Sequence, residues 1–325
     1  METTKSLLMH SSVSLKPLLA QLPKESFWEG LDLYQWEGFW YVPRHLEAAK
    51  TVQSHFEARD DDVILASPMK TGTNWLKALC FCIMKRAKSD DDDDDDNEEP
   101  LVDEHPFSYV RTLEIQVYTT NAPPDLSGMS SPRLFHTHLP YNALPDSIKN
   151  SKCKIVYITR NPKDTLVSTW HFFNSLRTAE QGPYPFDKAF DSFCNGVHLF
   201  GPFFEHGLQY WKESSKMAHK ILFLKYEDLK RDPKGQLKRL ASFLGRPFVN
   251  EEAIDKVLWT CSLERLKNME VNKNGVSPWT GLPKSSFFRL GVVGDWKNNF
   301  TPKMKDQLDH ITSMKLEGSG LEFET

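Results

Sequence analysis

The turn Lys70-Thr71-Gly72-Thr73 has the composition of an anion-binding site. It joins a short apolar run at residues 63–66 to a stretch whose apolar side chains recur at helical spacing. The turn should therefore open a helix, where backbone N–H groups lack partners and the helix dipole is positive. Lys70 adds a full charge, and Gly72 allows the backbone to approach an anion closely. These features predict a P-loop-like phosphate-binding turn.

The turn is not the complete phosphate loop of nucleotide triphosphatases. That loop has a glycine five residues ahead of a Gly-Lys pair, whereas this chain lacks the earlier glycine and has the order Lys-Thr-Gly. Taken alone, the segment fits an ordinary strand-turn-helix joint with a surface lysine about equally well. Its function therefore depends on what the rest of the chain brings to the same place.

Four short apolar runs, rich in β-forming residues, predict the strands that would position the turn. They lie at residues 63–67, 134–138, 154–159 and 221–226. Continuous apolar runs separated by long helical crossovers are typical of a parallel sheet that is covered on both faces. We therefore expect an α/β fold in which a central parallel sheet is flanked by helices, and a single domain over residues 1–325.

Each predicted strand brings one polar side chain to its carboxyl end. Lys70 follows the first strand, His138 ends the second, Arg160 follows the third and Tyr226 ends the fourth. Ligands of an open parallel sheet bind outside the carboxyl ends of its strands. A cation, an imidazole, a guanidinium and a phenol should therefore meet at one edge, which favours a binding site over an ordinary turn.

A second helix start after Arg160 also has the features of an anion site. Asn161 can cap a helix, Pro162 suits its first position and Asp164 favours its first turn. Ser168 lies about two turns into this helix, where its hydroxyl could face the site. Two separate anion sites predict a ligand that carries anionic groups at two places.

Composition restricts the class of protein. The 325 residues are 39% hydrophobic, they contain no apolar stretch long enough to span a bilayer, and the N-terminus lacks a secretory pattern. Five scattered cysteines fit reduced thiols better than disulfides, so we expect a cytoplasmic protein.

The charge is unevenly distributed along the chain. Residues 90–104 hold 11 acidic side chains and no basic one, and the remainder has 40 basic and 33 acidic residues. The mildly basic remainder suits a small polyanion rather than a nucleic acid. The acidic segment at residues 88–104 should be a disordered loop, because it repels itself and lacks the spaced ligands and turn glycine of a calcium site.

Five ordered motifs make the chain similar to the cytosolic (soluble) sulfotransferases, and particularly to their plant branch, which is flavonol- or steroid-sulfotransferase-like. They are KTGTNWLKAL at 70–79, THLP at 137–140, RNPKD at 160–164 with Ser168, LKYE at 224–227 and RLGVVGDWKN at 289–298. The resemblance covers most of the chain. It implies transfer of the sulfuryl group of 3′-phosphoadenosine 5′-phosphosulfate (PAPS) to a hydroxyl of a small organic acceptor, such as a flavonoid, a steroid or a hydroxylated hormone.

The resemblance also implies a role for each site residue. His138 would be the base, Lys70 would stabilise the leaving group, and Ser168 would hold Lys70 until the acceptor arrives; no metal is expected. The donor-binding residues are Lys70, Thr71, Gly72, Thr73, Asn74 and Trp75 at the 5′ end, Arg160, Ser168, Arg289, Leu290 and Gly291 at the 3′-phosphate, and Trp75, Tyr226, Cys261 and Leu263 around the adenine.

The chain departs from the family pattern at the donor sites and at the dimer motif. Met69 stands where the family usually has proline, Asn74 replaces a usual threonine, and Leu290 replaces a common lysine or arginine. Reduced donor affinity is the expected consequence. The animal dimer motif is altered at Pro302 and Asp306, so a monomer or a weak homodimer is expected, without nucleic-acid or membrane partners.

Other interpretations remain open from the residues alone. His136 and His138 could form a zinc pair, but no third ligand has supporting spacing, and Cys80 with Cys82 suits core packing better than a redox or metal pair. A nucleotide kinase would share the turn and the sheet, although it needs a magnesium-binding aspartate. A nucleotide-binding homologue that has lost turnover is disfavoured by the retained Lys70 and His138.

The acceptor pocket is expected to be apolar and built by loops. Its candidate walls are residues 107–118, Phe172, Phe173 and the segment before Arg289. Such residues indicate the polarity of the pocket and leave its shape open.

Overall fold

The computed structural model describes residues 8–10, 12–28, 30–86, 100–119 and 122–324. The strands are β1 (Lys24–Phe27), β2 (Leu31–Trp36), β3 (Phe39–Tyr41), β4 (Val63–Ala66), β5 (Leu134–Thr137), β6 (Lys154–Thr159) and β7 (Ile221–Lys225). The helices are α1 (Lys16–Leu19), α2 (Pro43–His55), α3 (Thr73–Lys85), α4 (Pro106–Tyr109), α5 (Asp146–Asn150), α6 (Pro162–Asn174), α7 (Phe186–Cys194), α8 (Phe203–Lys216), α9 (Tyr226–Arg231), α10 (Pro233–Phe243), α11 (Glu251–Thr260), α12 (Leu263–Asn268), α13 (Glu270–Lys273) and α14 (Pro302–Leu316). Short 3-10 turns lie at Val13–Leu15, Tyr141–Ala143, Lys284–Phe287 and Asp295–Asn298, and a π-helical turn lies at Leu113–Val117.

The central sheet has four strands in the order β5-β4-β6-β7, and all of its pairings are parallel. Its strands coincide with the four predicted runs to within one residue, so the predicted parallel α/β fold is confirmed. Successive side chains point to opposite faces: Ile155 and Tyr157 join one apolar cluster, whereas Val156 and Ile158 join the other. Both faces are therefore buried, as a parallel sheet with helical crossovers requires.

A second, antiparallel sheet of β1, β2 and β3 was not predicted from the sequence. Its β2–β3 hairpin turns through Glu37 and Gly38, whose φ angles are 51° and 83°. Positive φ at both central residues is the geometry of the two-residue hairpin turn that fits strand twist. The Glu-Gly dipeptide between aromatic residues was the available signal, although Asn-Gly is the usual form.

The acidic segment predicted as a disordered loop falls largely outside the described residues. Residues 100–104 are described, and they form turns and bends ahead of α4. Within the described residues, none of the helices has the length and apolar character needed to cross a membrane.

Candidate active site

The lysine-bearing turn links β4 to α3, as predicted. Gly72 caps α3 with a φ of 107°, in the left-handed region that favours glycine. A Cβ atom at this position would lie 2.8 Å from Cδ2 of Tyr226. The missing side chain therefore also lets the ring of Tyr226 pack against the turn, a long-range reason for glycine that the sequence alone does not disclose.

The four polar residues predicted at the sheet edge line one cavity of about 440 Å³. Its lining includes these predicted site residues: Lys70, Gly72, Thr73, Asn74, Trp75, His138, Arg160, Ser168, Tyr226, Cys261, Leu263, Arg289, Leu290 and Gly291. Thr71 lies behind this wall, because its buried hydroxyl donates to the carbonyl oxygens of Pro68 and Ile158 at 2.9 and 3.2 Å. Thr71 therefore braces the turn and has only its backbone to offer a ligand.

Arg160 lines this cavity and is held in place by contacts with Tyr226 and Val292. Its guanidinium stands over the ring of Tyr226, 4.6 Å from the ring centre, and donates to the carbonyl of Val292 at 2.7 Å. The ring of Tyr226 in turn meets the indole of Trp75 edge to face, with centroids 5.6 Å apart. The cation is thus held beside two aromatic rings that border the same cavity.

Helix α6 begins as the sequence predicted. The side chain of Asn161 caps it by accepting from the backbone N–H of Lys163 at 3.0 Å, and Pro162 occupies its first position. Asp164 does more than favour the first turn. Its carboxylate accepts from the backbone N–H groups of Gly294 and Trp296 at 2.8 and 3.0 Å.

The segment around Arg289 is fastened from both sides. Asp164 holds the backbone of residues 294–296, and Arg289 pairs with Asp295 at 2.6 Å. A Cβ atom on Gly291, which has a φ of 62°, would lie 2.6 Å from Cδ2 of Leu263. Residues 289–291 are therefore brought against the cavity that holds Arg160. Sequence reasoning did not find the anchoring role of Asp164, because its partners lie 130 residues further on.

His138 is held as a neutral imidazole with a defined tautomer. Its Nδ1–H donates to the carbonyl of Ser67 at 2.8 Å, which leaves the lone pair on Nε2. Burial lowers the pKa of His138 to about 3, although the hydrogen bond to Ser67 acts to raise it. The Glu114 carboxylate fixes the backbone by accepting from the N–H of His138 at 2.7 Å. The side chain can therefore accept a proton at physiological pH.

Lys70 lies against the aromatic part of the cavity. Its ammonium lies 3.8 Å from the ring centre of Phe172 and 5.6 Å from that of Phe287. Burial lowers the pKa of Lys70 to about 7, and the positive charges of Arg160 and Arg289 act in the same direction. In the described part of the chain no hydrogen bond joins Lys70 to Ser168, so the expected holding contact is replaced by packing on Phe172.

The walls beyond Lys70 are aromatic. Phe107 meets Trp279 and Phe287 with ring centroids 5.5 Å apart in each case, and Phe172 meets Phe287 at 5.1 Å. The predicted walls at Phe107, Phe172, Phe173 and the segment before Arg289 all line the cavity, whereas Tyr118 is buried in the core. The lining residues Leu8, His45, Leu176 and Leu199 were not predicted, since no local motif marks them.

The histidine and cysteine pairs have structural partners. Both ring nitrogens of His136 face hydroxyl groups, Ser67 at 3.0 Å and Thr112 at 3.1 Å. Among the residues described, no group of three or more His, Cys, Asp or Glu side chains is arranged to hold a metal ion. Cys80 and Cys82 are buried in the core, and Cys82 Sγ lies 3.6 Å from Cys261 Sγ.

Comparisons with known proteins agree on one family. Residues 60–320 match the profile of the sulfotransferase domain. Cytosolic sulfotransferase 5 of Arabidopsis thaliana is 43% identical over 95% of this chain and 96% of its own length. A crystal structure described as an Arabidopsis thaliana putative steroid sulphotransferase superposes with a TM-score of 0.76 at 34% identity, covering 97% of this chain and 99% of that one. A mouse sulfotransferase in complex with PAP superposes with a TM-score of 0.66 at 28% identity, covering 88% and 95%. This chain therefore belongs to the sulfotransferase family, alongside the cytosolic sulfotransferases of plants.

Proposed function

We propose that this enzyme moves the sulfuryl group of PAPS to a hydroxyl of a small organic acceptor, and that residues 1–325 act as one domain. The observation that carries the proposal is one cavity that joins two cationic sites to a neutral histidine base. Lys70 on its turn supplies the first site, and Arg160 with Ser168 and Arg289 supplies the second. A donor with a phosphosulfate at one end and a separate phosphate at the other needs both. Loss of the sulfuryl group from such a donor leaves 3′-phosphoadenosine 5′-phosphate (PAP). The mouse relative was crystallised with PAP.

The proposed placement of the donor follows the lining of the cavity. The 5′ end would lie on the turn from Lys70 to Trp75, where the N-terminus of α3 attracts anions. The 3′-phosphate would lie between Arg160 and the segment from Arg289 to Gly291. The adenine would stack among the apolar residues Trp75, Tyr226, Cys261 and Leu263.

The proposed chemistry is an in-line transfer that depends on position and charge. His138 Nε2 removes the proton of the acceptor hydroxyl, the oxygen forms a bond to sulfur, and the bond from sulfur to the 5′-phosphate oxygen breaks. Lys70 stabilises the negative charge that develops on that departing oxygen. The products are the sulfated acceptor, PAP and one proton.

The acceptor that we propose is a largely apolar molecule with an accessible hydroxyl. The aromatic walls around Phe107, Phe172 and Phe287 support this, since they offer ring faces and few polar partners. A flavonoid, a steroid or a hydroxylated hormone fits the description. We also propose a cytoplasmic location, which the names of the cytosolic relatives support.

A nucleotide kinase with the same turn would bind ATP with magnesium in preference to PAP. We expect PAP to raise the thermal unfolding midpoint of the protein, because it would bind the native cavity and not the unfolded chain. ATP with magnesium should produce a smaller shift at the same concentration. Stabilisation by ATP-magnesium and not by PAP would contradict the proposal.

Replacing Arg160 with alanine should mainly weaken donor binding. Loss of a charge-assisted contact to the 3′-phosphate should raise the Kd for PAP by roughly 10- to 100-fold, with a much smaller change in kcat at saturating donor. Isothermal titration calorimetry measures the first effect and saturation kinetics the second. Arg231→Ala is the matched control, because it removes a cation that is exposed and paired with Asp228 and Glu324. Equal weakening by both variants would contradict a specific role for Arg160.

PAP binding should be accompanied by proton uptake above pH 7. The pKa of Lys70 is about 7, and a phosphate beside it must raise that pKa because it favours the charged form. Between the two pKa values the complex holds more protons than the free protein, so affinity falls as the pH rises from 7. Calorimetry in two buffers of different ionisation enthalpy measures the uptake. Proton release in this range would contradict the placement of an anion at Lys70.

A further inference from the structure

Behind the phosphate-binding turn lies a continuous chain of buried hydrogen bonds. Lys77 Nζ donates to Thr112 Oγ1 at 2.9 Å, and Thr112 Oγ1 lies 3.1 Å from His136 Nδ1. His136 Nε2 lies 3.0 Å from Ser67 Oγ, which lies 2.8 Å from Thr73 Oγ1. The side chains of Lys77, Thr112, Ser67 and His136 are all nearly inaccessible. Thr73, at the start of α3, lines the cavity together with Lys77 and Thr112, whereas Ser67 and His136 lie outside its lining.

The donors and acceptors of this series of hydrogen bonds are all satisfied when every bond points from Lys77 toward Thr73. Lys77 donates to Thr112, so the Thr112 hydroxyl must place its own hydrogen elsewhere, and in the described residues His136 Nδ1 is its available acceptor. Burial lowers the pKa of His136 well below its ordinary value, so the ring is neutral and has one donor and one acceptor nitrogen. With Nδ1 accepting, Nε2–H donates to Ser67.

The direction carries through to the surface of the cavity. Ser67, which accepts from His136, donates its hydroxyl hydrogen to Thr73 Oγ1. The hydrogen of Thr73 then has no acceptor within the described residues and is left to face the cavity. The opposite direction would use the hydrogen of Thr73 on Ser67 and would leave the hydrogen of Thr112 without a partner.

We propose that Lys77, Thr112 and His136 are positioning residues whose hydrogen bonds, passed through Ser67, turn the Thr73 hydroxyl hydrogen toward the anionic 5′ end of the bound donor. The proposal rests on the proposed function, since it takes PAPS or PAP as the anion on the turn. None of the three residues needs to touch the donor. Hydrogen bonds in such a buried series polarise one another, so Lys77 strengthens the donor at the far end most when it is protonated; burial lowers the pKa of Lys77 to about 7.

Ser67 also connects this chain to the proposed base. Its hydroxyl belongs to the chain, while its carbonyl oxygen accepts from Nδ1–H of His138. Ser67, directly after β4, therefore contacts both the hydrogen-bonded series that ends at Thr73 and the proposed base His138. This arrangement explains why a polar network is buried beneath the turn, where apolar side chains would otherwise pack.

A double-mutant cycle between Thr112 and Thr73 tests the proposal. Thr112→Val removes one buried hydroxyl with little change in volume, and it should raise the Kd for PAP roughly three- to tenfold. Thr73→Val should raise the Kd roughly tenfold or more. In the double variant the Thr112 substitution should cost nothing further, within about twofold, because the hydroxyl that it positions is already gone.

Thr71→Val supplies the matched control for the cycle. The Thr71 hydroxyl lies in the same turn but bonds to Pro68 and Ile158, outside the chain, so its effect should multiply with that of Thr112→Val. In steady-state kinetics, Thr112→Val should raise the KM for the donor by a larger factor than the KM for the acceptor, although Thr112 also borders the cavity. A purely structural role would not separate these two constants.

The outcomes distinguish failure of the positioning proposal from failure of the proposed function. The proposed series of hydrogen bonds would be overturned if the two increases in Kd multiplied in the Thr112–Thr73 double variant, or if Thr112→Val left the Kd unchanged, while PAP still bound the wild-type enzyme. Failure of the wild-type enzyme to bind PAP would overturn the proposed function instead. If Thr112→Val does not fold, Lys77→Met removes the first donor of the chain and carries the same prediction.

Discussion

Replacing His138 with alanine should lower kcat by at least roughly 100-fold, in the range that general-base catalysis contributes, and leave PAP binding within about twofold. The reason lies in the contacts of the side chain. Nδ1–H is committed to the carbonyl of Ser67, and the lone pair of Nε2 is free for the acceptor proton. In the proposed mechanism His138 acts on the acceptor, so its loss should leave the donor sites intact. Saturation kinetics and calorimetry measure the two effects on the same preparation.

His138→Asn is the sharper control for this prediction. An asparagine amide can still donate to the Ser67 carbonyl and fill part of the space, but it offers no basic nitrogen. The asparagine variant should therefore be as inactive as the alanine variant. Activity near that of the wild type in His138→Asn would contradict the base assignment, as would a loss of PAP binding equal to that of Arg160→Ala.

Replacing Lys70 with methionine should lower kcat roughly 100- to 1,000-fold, which is the effect of removing one preorganised group that stabilises developing charge. Methionine keeps most of the apolar contact with Phe172, over which the ammonium lies at 3.8 Å. PAP binding should weaken less than kcat falls, since the N-terminus of α3 and the second cationic site remain.

The pH dependence of this variant distinguishes a catalytic Lys70 from a merely structural one. The pKa of Lys70, lowered to about 7 chiefly by burial, is the proposed source of the proton uptake that accompanies PAP binding. Lys70→Met should reduce that uptake, and the part that remains is assigned to Lys77, which lines the same cavity and whose pKa burial also lowers to about 7. An undiminished uptake, or a fall in kcat of less than about tenfold, would contradict the assigned role.

The main features of the sheet could be predicted because short contiguous segments of the sequence determine them. Each of the four strands is a short run rich in β-forming residues with a polar site residue at or after its carboxyl end, and parallel pairing then brings His138 and Arg160 to one edge. The cap and first turn of α6 were predicted for the same reason, since Asn161 and Pro162 are neighbours in sequence.

The features that were missed depend on partners far apart in the chain. Asp164 holds the backbone at Gly294, and Gly72 makes room for the ring of Tyr226. The lining residues from the N-terminal part, such as His45, carry no motif that points to the cavity. Packing across the whole chain decides these contacts, so a single sequence cannot show them.

The protonation state of the site was also beyond the sequence. Lys70 was expected to contribute a full charge, whereas burial beside Arg160 and Arg289 brings its pKa to about 7. The ordinary pKa of a lysine is set by exposure to water, and the degree of burial follows from the fold.

The most direct test of the central claim is transfer of labelled sulfate from PAPS to a panel of phenols, flavonoids, steroids and hydroxylated hormones by the purified enzyme. We expect at least one acceptor to be sulfated, with one PAP formed for each product molecule and with the activity lost in His138→Ala. Tight binding of PAP without transfer to any acceptor in the panel would contradict the account, and would instead indicate a nucleotide-binding homologue that has lost turnover.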